Sequence, residues 1–119
     1  MSELPILDPQ AVENLRSISP DDGTFLHGLV SIFLADTPKH ITAMQLALTR
    51  NGAAELGRLA HQVKGSASNF GATRLIALCL ELEQLGKASD LAAARTKLDA
   101  LRAEFDQVRR ALESLAGIS

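Results

Sequence analysis

The chain has 119 residues, enough for one domain around a single core. Twelve Lys and Arg against fourteen Asp and Glu leave a net charge of −2, so there is no basic excess to neutralise nucleic-acid phosphates. Hydrophobic residues make up 46% but aromatics only 3%, mostly replaced by Leu and Ala, which excludes a disordered tail and disfavours strands.

The start, Met1-Ser2-Glu3-Leu4-Pro5, lacks a basic stretch followed by an apolar one and does not read as a signal peptide. Asp8-Pro9 then opens a short helix over residues 9–18, with Asp as cap, Pro in the first turn, and Val12 and Leu15 three apart. Ser19-Pro20-Asp21-Asp22-Gly23 stops that helix and caps the next. From Thr24 a second segment places Phe25, Leu26, Leu29, Ile32 and Phe33 on one apolar face. Its apolar run, Leu29 to Ala35, is interrupted by Ser31 and ended by Asp36, too short to span a membrane. Pro38 removes a donor and clashes with the preceding turn, which predicts a kink or a break. Ile41, Met44 and Leu48 carry the face onward to Asn51-Gly52.

A third helix is expected over residues 53–70, ended by Gly71, and a fourth over 72–86 with Leu75, Leu78, Leu82 and Leu85 facing inward. Ser89 is the expected cap of the last helix. In that helix Leu91, Ala94, Leu98, Leu101, Phe105, Val108, Leu112 and Leu115 alternate spacings of three and four, the seam of bundle packing. Four long amphipathic segments with short connections predict an all-α fold: one domain over 1–119, an antiparallel four-helix bundle with its core at about 24–116 plus the short N-terminal helix.

The third helix carries the feature that packing does not require. Leu56, Leu59, Ala60, Val63, Ala67 and Phe70 share one side, and His61 lies roughly 150° from the centre of that stripe, toward solvent. Gly57, Arg58, Lys64, Gly65 and Ser68 surround it on the outer face. A glycine inside a helix costs about 1 kcal/mol relative to Ala, and two of them flank this ring at i−4 and i+4. Bare backbone lets another backbone or surface approach closely. A neutral imidazole is a nitrogen nucleophile, and Lys64, at i+3, can balance the charge of a phosphoryl group placed on its outer nitrogen.

The segment His61-Gln62-Val63-Lys64-Gly65-Ser66, followed by the helix-ending Gly71, resembles the His-x-x-Lys-Gly-Ser signature of histidine phosphotransfer (HPt) domains of bacterial and fungal phosphorelays. The resemblance extends to Ile6-Leu7-Asp8-Pro9, to Phe33-Leu34 ahead of Asp36-Thr37-Pro38, and to Leu80-Glu81-Leu82-Glu83. It implies that His61 is the phosphoacceptor and that Lys64 stabilises the phosphoryl group. It further implies that Gly65 gives a partner clearance, Ser66 supplies a supporting hydrogen bond, and Glu83, where relatives have Glu or Gln, orients the imidazole. Lys87 falls where some relatives carry a basic residue near the site. The implied partners are response-regulator receiver domains, which bring their own aspartate and Mg²⁺; none of the phosphorelay chemistry implied for this chain needs a cofactor or nucleic acid.

The sequence shows no Gly-x-x-x-x-Gly-Lys-Ser/Thr loop, so the expected role is a phosphocarrier and not a kinase. The implied setting is a cytoplasmic monomer without direct membrane contact, either freestanding or the C-terminal domain of a hybrid sensor histidine kinase that tethers it to the inner membrane. The alternative is a non-catalytic helical module that binds a receiver or signalling enzyme without accepting phosphate. His27 and His40 have no metal-ligand spacing with His61, and no metal site is expected. Cys79, beside the Leu78 and Leu82 stripe, reads as a core or boundary thiol, which argues against a catalytic role and a disulfide framework. Met44 and the phenylalanines read as core, Arg109-Arg110 as a solvated pair, Arg58 and Arg74 as surface or partner-facing, and Glu81 as turned away from Glu83.

Overall fold

Apolar residues three and four apart wind into five helices in a computed structural model that describes residues 5–18 and 23–117. They are α1 (Pro9–Ile18), α2 (Thr24–Thr49), α3 (Ala53–Ser68), α4 (Thr73–Lys87) and α5 (Leu91–Ala116), with no strand among the described residues. Connections of three or four residues join α2 through α5, so successive helices run antiparallel and close a four-helix bundle. Val30, Met44, Leu48, Leu56, Val63, Leu75, Leu82, Leu98, Leu101, Val108 and Leu112 are almost completely buried along its axis. Each large side chain of this kind contributes roughly 1.5–3 kcal/mol by leaving water. The Phe33 ring meets Phe70 edge-on at 5.3 Å and Phe105 at 5.8 Å, tying α2 and α5 to the end of α3.

Several expectations change. Pro38 does not break α2, which runs through it from Thr24 to Thr49. Phe33, Thr37, Ile41 and Met44 are buried on both sides of the proline, and this packing outweighs one missing backbone hydrogen bond. The buried stripe of α2 is Leu26, Val30, Phe33 and Thr37, so Phe25 (39% exposed) and Ile32 (60%) lie off it. The cap of α5 is Asp90, whose carboxylate accepts from the Ala93 N–H at 3.2 Å; Ser89 is instead a turn residue with φ of 55°. Arg74 is half-buried and pairs with Glu104 at 3.1 Å, so it joins α4 to α5. The stop and cap assigned to Ser19-Pro20-Asp21-Asp22 lie outside the described residues, and Gly23, at the N-terminal boundary of α2, makes no side-chain cap.

Two glycines fix how the helices meet. Gly71 has φ of +60°, and a Cβ there would lie 2.3 Å from Asp8 Cβ, so only glycine lets the α3–α4 turn receive the N-terminal segment. The Asp8 N–H donates to the Gly71 carbonyl at 2.9 Å, while Asp8 Oδ1 accepts from the Gln10 N–H at 3.0 Å and caps α1. Gly86 lies where α4 crosses α3: a Cβ there would be 2.8 Å from the Ala53 carbonyl oxygen and 3.2 Å from the Gly57 nitrogen. The close crossing brings Glu83, one turn earlier on α4, against the middle of α3.

Candidate functional site

On α3 the residues Leu56, Leu59, Ala60, Val63 and Ala67 are buried, and the helical period turns His61 to the opposite side. Its side chain is 69% exposed. His61 Nδ1 lies 3.2 Å from Glu83 Oε2, and the Lys64 ammonium lies 2.5 Å from Glu83 Oε1. One carboxylate therefore serves both residues, an oxygen to each. Glu83 is only 14% exposed, and its buried Oε1 has no close partner besides that ammonium among the described residues.

Burial pushes the Glu83 carboxyl up, but the hydrogen bonds and charges of Lys64 and His61 outweigh it and hold the group below its ordinary value. The carboxylate is ionised at neutral pH and can only accept. Its neighbour Nδ1 must then carry the ring proton, which leaves the lone pair on Nε2, on the side of the ring away from Glu83. The result is an exposed nitrogen nucleophile with a cation one turn along the same helix.

The flanking positions separate into kinds. Nothing lies within 4 Å of where a Cβ would stand on Gly65, so that stretch of backbone is open to an approaching surface. Gly57 is half-buried beside α4, where a built Cβ would meet only the Glu83 carbonyl, in ordinary contact at 3.7 Å. A Cβ on Gly86 would stand 3.2 Å from the Gly57 nitrogen, so the backbone that comes close on this flank is that of α4. Gly86 is the other half of that contact and was not singled out from sequence; the signal was a glycine one turn past Leu82 on the inward stripe of α4. Arg58, Lys87 and Ser89 line a concavity of about 420 Å³ floored by Gly57, Gly86 and Glu83. Arg58 is paired with Glu55 at 2.6 Å. Ser68 donates to the Gly65 carbonyl at 2.6 Å, a bond within α3. Exposed Ser66 faces the α2 side, in a groove with Ile32, Asp36, His40 and Asn69, apart from the concavity of Lys87.

Cys79 is fully buried, and burial, aided by the nearby Glu83 charge, pushes its thiol up to about 12. Glu81 is exposed and pairs with Lys97 at 2.9 Å, away from the shared carboxylate. No group of His, Cys, Asp and Glu among the described residues is arranged to hold a metal ion. No helix among them is long and apolar enough to cross a membrane.

Residues 28–111 match the Hpt domain family. Histidine-containing phosphotransfer protein 2 of Arabidopsis thaliana is 30% identical over 114 residues, covering 92% of this chain and 72% of that protein. The crystal structure of histidine-containing phosphotransfer protein B from Pseudomonas aeruginosa PAO1 superposes with a TM-score of 0.88 at 26% identity, over 98% of this chain and 99% of that one. A maize histidine-containing phosphotransfer protein shares the fold, with a TM-score of 0.84 at 21% identity over 95% of this chain and 84% of its own.

Proposed function

Because this chain belongs to the Hpt domain family and is a phosphorelay intermediate, we propose that His61 is the residue that carries its phosphoryl group, received from the phospho-aspartate of one response-regulator receiver domain and passed to the aspartate of another. The observation that supports this most directly is the exposed His61 ring with Nδ1 on Glu83 and Nε2 free.

In the forward step the Nε2 lone pair attacks phosphorus as the bond to the aspartyl oxygen breaks, and the carboxylate leaves with that electron pair. Phosphoryl transfer asks mainly for positioning and charge stabilisation. Glu83 aims the ring. Lys64, 26% exposed and beside the same carboxylate, is close enough to swing its ammonium toward the incoming phosphoryl oxygens. Gly65 leaves room for the receiver, Arg58 and Lys87 present cations along the neighbouring concavity, and Ser66 and Ser68 lie on the exposed surface of α3 past His61, Ser66 toward α2. In this reading Mg²⁺ and the remaining catalytic groups belong to the receiver, and this domain uses no nucleotide of its own.

The test is incubation with a phosphorylated receiver. An acid-labile label that appears on wild type and is lost in His61→Gln is the expected result. Equal labelling of both proteins removes His61 from the role, and tight receiver binding without any label replaces the carrier with a binding module.

A further inference from the structure

Gly57 lies inside α3, where a glycine is less favourable than alanine by about 1 kcal/mol, and packing does not require it. A Cβ there would meet only the Glu83 main-chain carbonyl, at 3.7 Å. Gly86 differs, because a Cβ on it would lie 2.8 Å from the Ala53 carbonyl oxygen, and the crossing demands a glycine. What the missing side chain at position 57 leaves is depth. Together with Gly86 it floors the concavity of about 420 Å³ between the first half of α3 and the end of α4. That volume falls within the roughly 300–1,000 Å³ of small-molecule sites.

The lining divides into a floor and a rim. On the floor the main chain is bare at both glycines, and a helical carbonyl keeps a second lone pair that can accept from a hydroxyl. On the rim Lys87 is exposed and has no ion pair among the described residues. Arg58 turns Nε and Nη2 to Glu55, at 2.9 and 2.6 Å, which leaves Nη1 for another acceptor. Ser89, an exposed turn residue, adds a hydroxyl beside them. Glu55 and Glu83 are each held by a cation, Arg58 and Lys64 respectively, so the Lys87 charge is left over at the rim.

We propose that this concavity binds a sugar phosphate, a phosphate monoester on a hydroxylated body. The phosphate lies on Lys87, Ser89 and the free edge of Arg58, where charge-assisted hydrogen bonds are strongest. The hydroxyls face the bare main chain at Gly57 and Gly86. The ligand makes no bond to His61, whose Nε2 is on the side of the ring away from Glu83 and α4. Gly57 is kept small, on this account, because any side chain there would take the space of the sugar.

The experiment titrates the full chain with ribose 5-phosphate at constant ionic strength and follows the backbone amide resonances, with inorganic phosphate and ribose as separate arms. Saturable shifts centred on Gly57, Gly86 and Ser89 are expected, with ribose 5-phosphate bound about tenfold more tightly than either part alone. Lys87→Gln should weaken binding by about tenfold, through loss of a charged hydrogen bond. Gly57→Met should abolish it by filling the floor. Gly57→Ala, whose methyl the structure admits, should melt no lower than wild type and still weaken binding, so that loss of affinity is separated from loss of fold. Absence of saturable shifts overturns the proposal, as does inorganic phosphate bound as tightly as the sugar phosphate, which would mark an adventitious ion only. Unchanged affinity in both glycine variants overturns it too, and returns Gly57 to clearance for the receiver.

Discussion

Gly86 of α4 and Ala53 of α3 meet so closely that a single added carbon at position 86 would lie 2.8 Å from the Ala53 carbonyl oxygen. Both obstructing groups, that carbonyl and the Gly57 backbone, are main chain and cannot swing aside. Gly86→Ala should therefore cost about 1–3 kcal/mol by overpacking, despite alanine's better helix propensity. It should also push α4 outward and loosen the Glu83 contacts. Urea denaturation measures the first effect and the His61 ring resonances the second. Unchanged stability would mean that the crossing is softer than its geometry.

Gly65 predicts the opposite pattern. An added Cβ meets nothing within 4 Å, so Gly65→Ala should raise stability by up to about 1 kcal/mol through helix propensity. The same carbon stands on the exposed surface one turn beyond His61 and should weaken receiver binding by about tenfold, or 1.4 kcal/mol. A thermal melt and a receiver titration read the two effects separately. A variant that is both more stable and equally well bound would show that the receiver does not approach over this glycine.

The glycines of α3 also show what could be read from the sequence and what could not. Both Gly57 and Gly65 broke the same local rule, and the helical period placed His61 outside correctly, because burial of Leu56, Leu59, Val63 and Ala67 depends only on rotation about α3. Which glycine faced solvent and which faced α4 depended on where a second helix crosses, and no period in α3 carries that. The seam of α5, with Ala94, Leu98, Leu101, Phe105, Val108 and Leu112 buried, was legible for the same reason as the rotation of α3. Ile32 and Phe25 were misplaced because α2 is apolar on several sides, and its neighbours chose the stripe through Val30 and Phe33. Pro38 looked like a boundary because its local cost is plain, whereas the packing that overrides it is spread over the length of the helix. The expected contact of Glu83 with the ring came from resemblance alone; that the same carboxylate also holds Lys64 follows from side chains 19 positions apart in sequence, Lys64 and Glu83, which only the fold joins.

Cys79 offers a test of the core beneath the site. Its side chain is fully buried, and the thiol is pushed up to about 12, first by burial and then by the Glu83 charge. Thiolate, not thiol, reacts with alkylating reagents. Native protein at pH 8 should therefore resist iodoacetamide, and addition of denaturant should expose one reactive thiol per chain, scored by mass. Rapid labelling of the native protein would show that α4 opens readily beneath Glu83.

The Glu83 carboxylate also predicts how stability follows pH. Burial raises its pKa, but Lys64 and His61 lower it further, so the folded value lies below the ordinary one. A group lowered on folding contributes stability that is fully present above its unfolded pKa and is lost as pH falls through the folded value. Wild type should therefore exceed Glu83→Gln in stability at pH 7, and the gap should close as pH is lowered through and below the ordinary carboxylate range. Lys64→Met removes the closest cation and should shrink the wild-type side of that gap, because the remaining carboxylate then keeps mainly the His61 contact against the cost of burial. Urea midpoints across that range for the three proteins decide the matter. A gap that does not change with pH would mean that the carboxylate is not held by these partners in the folded protein, and the proton assignment on His61 would lose its support.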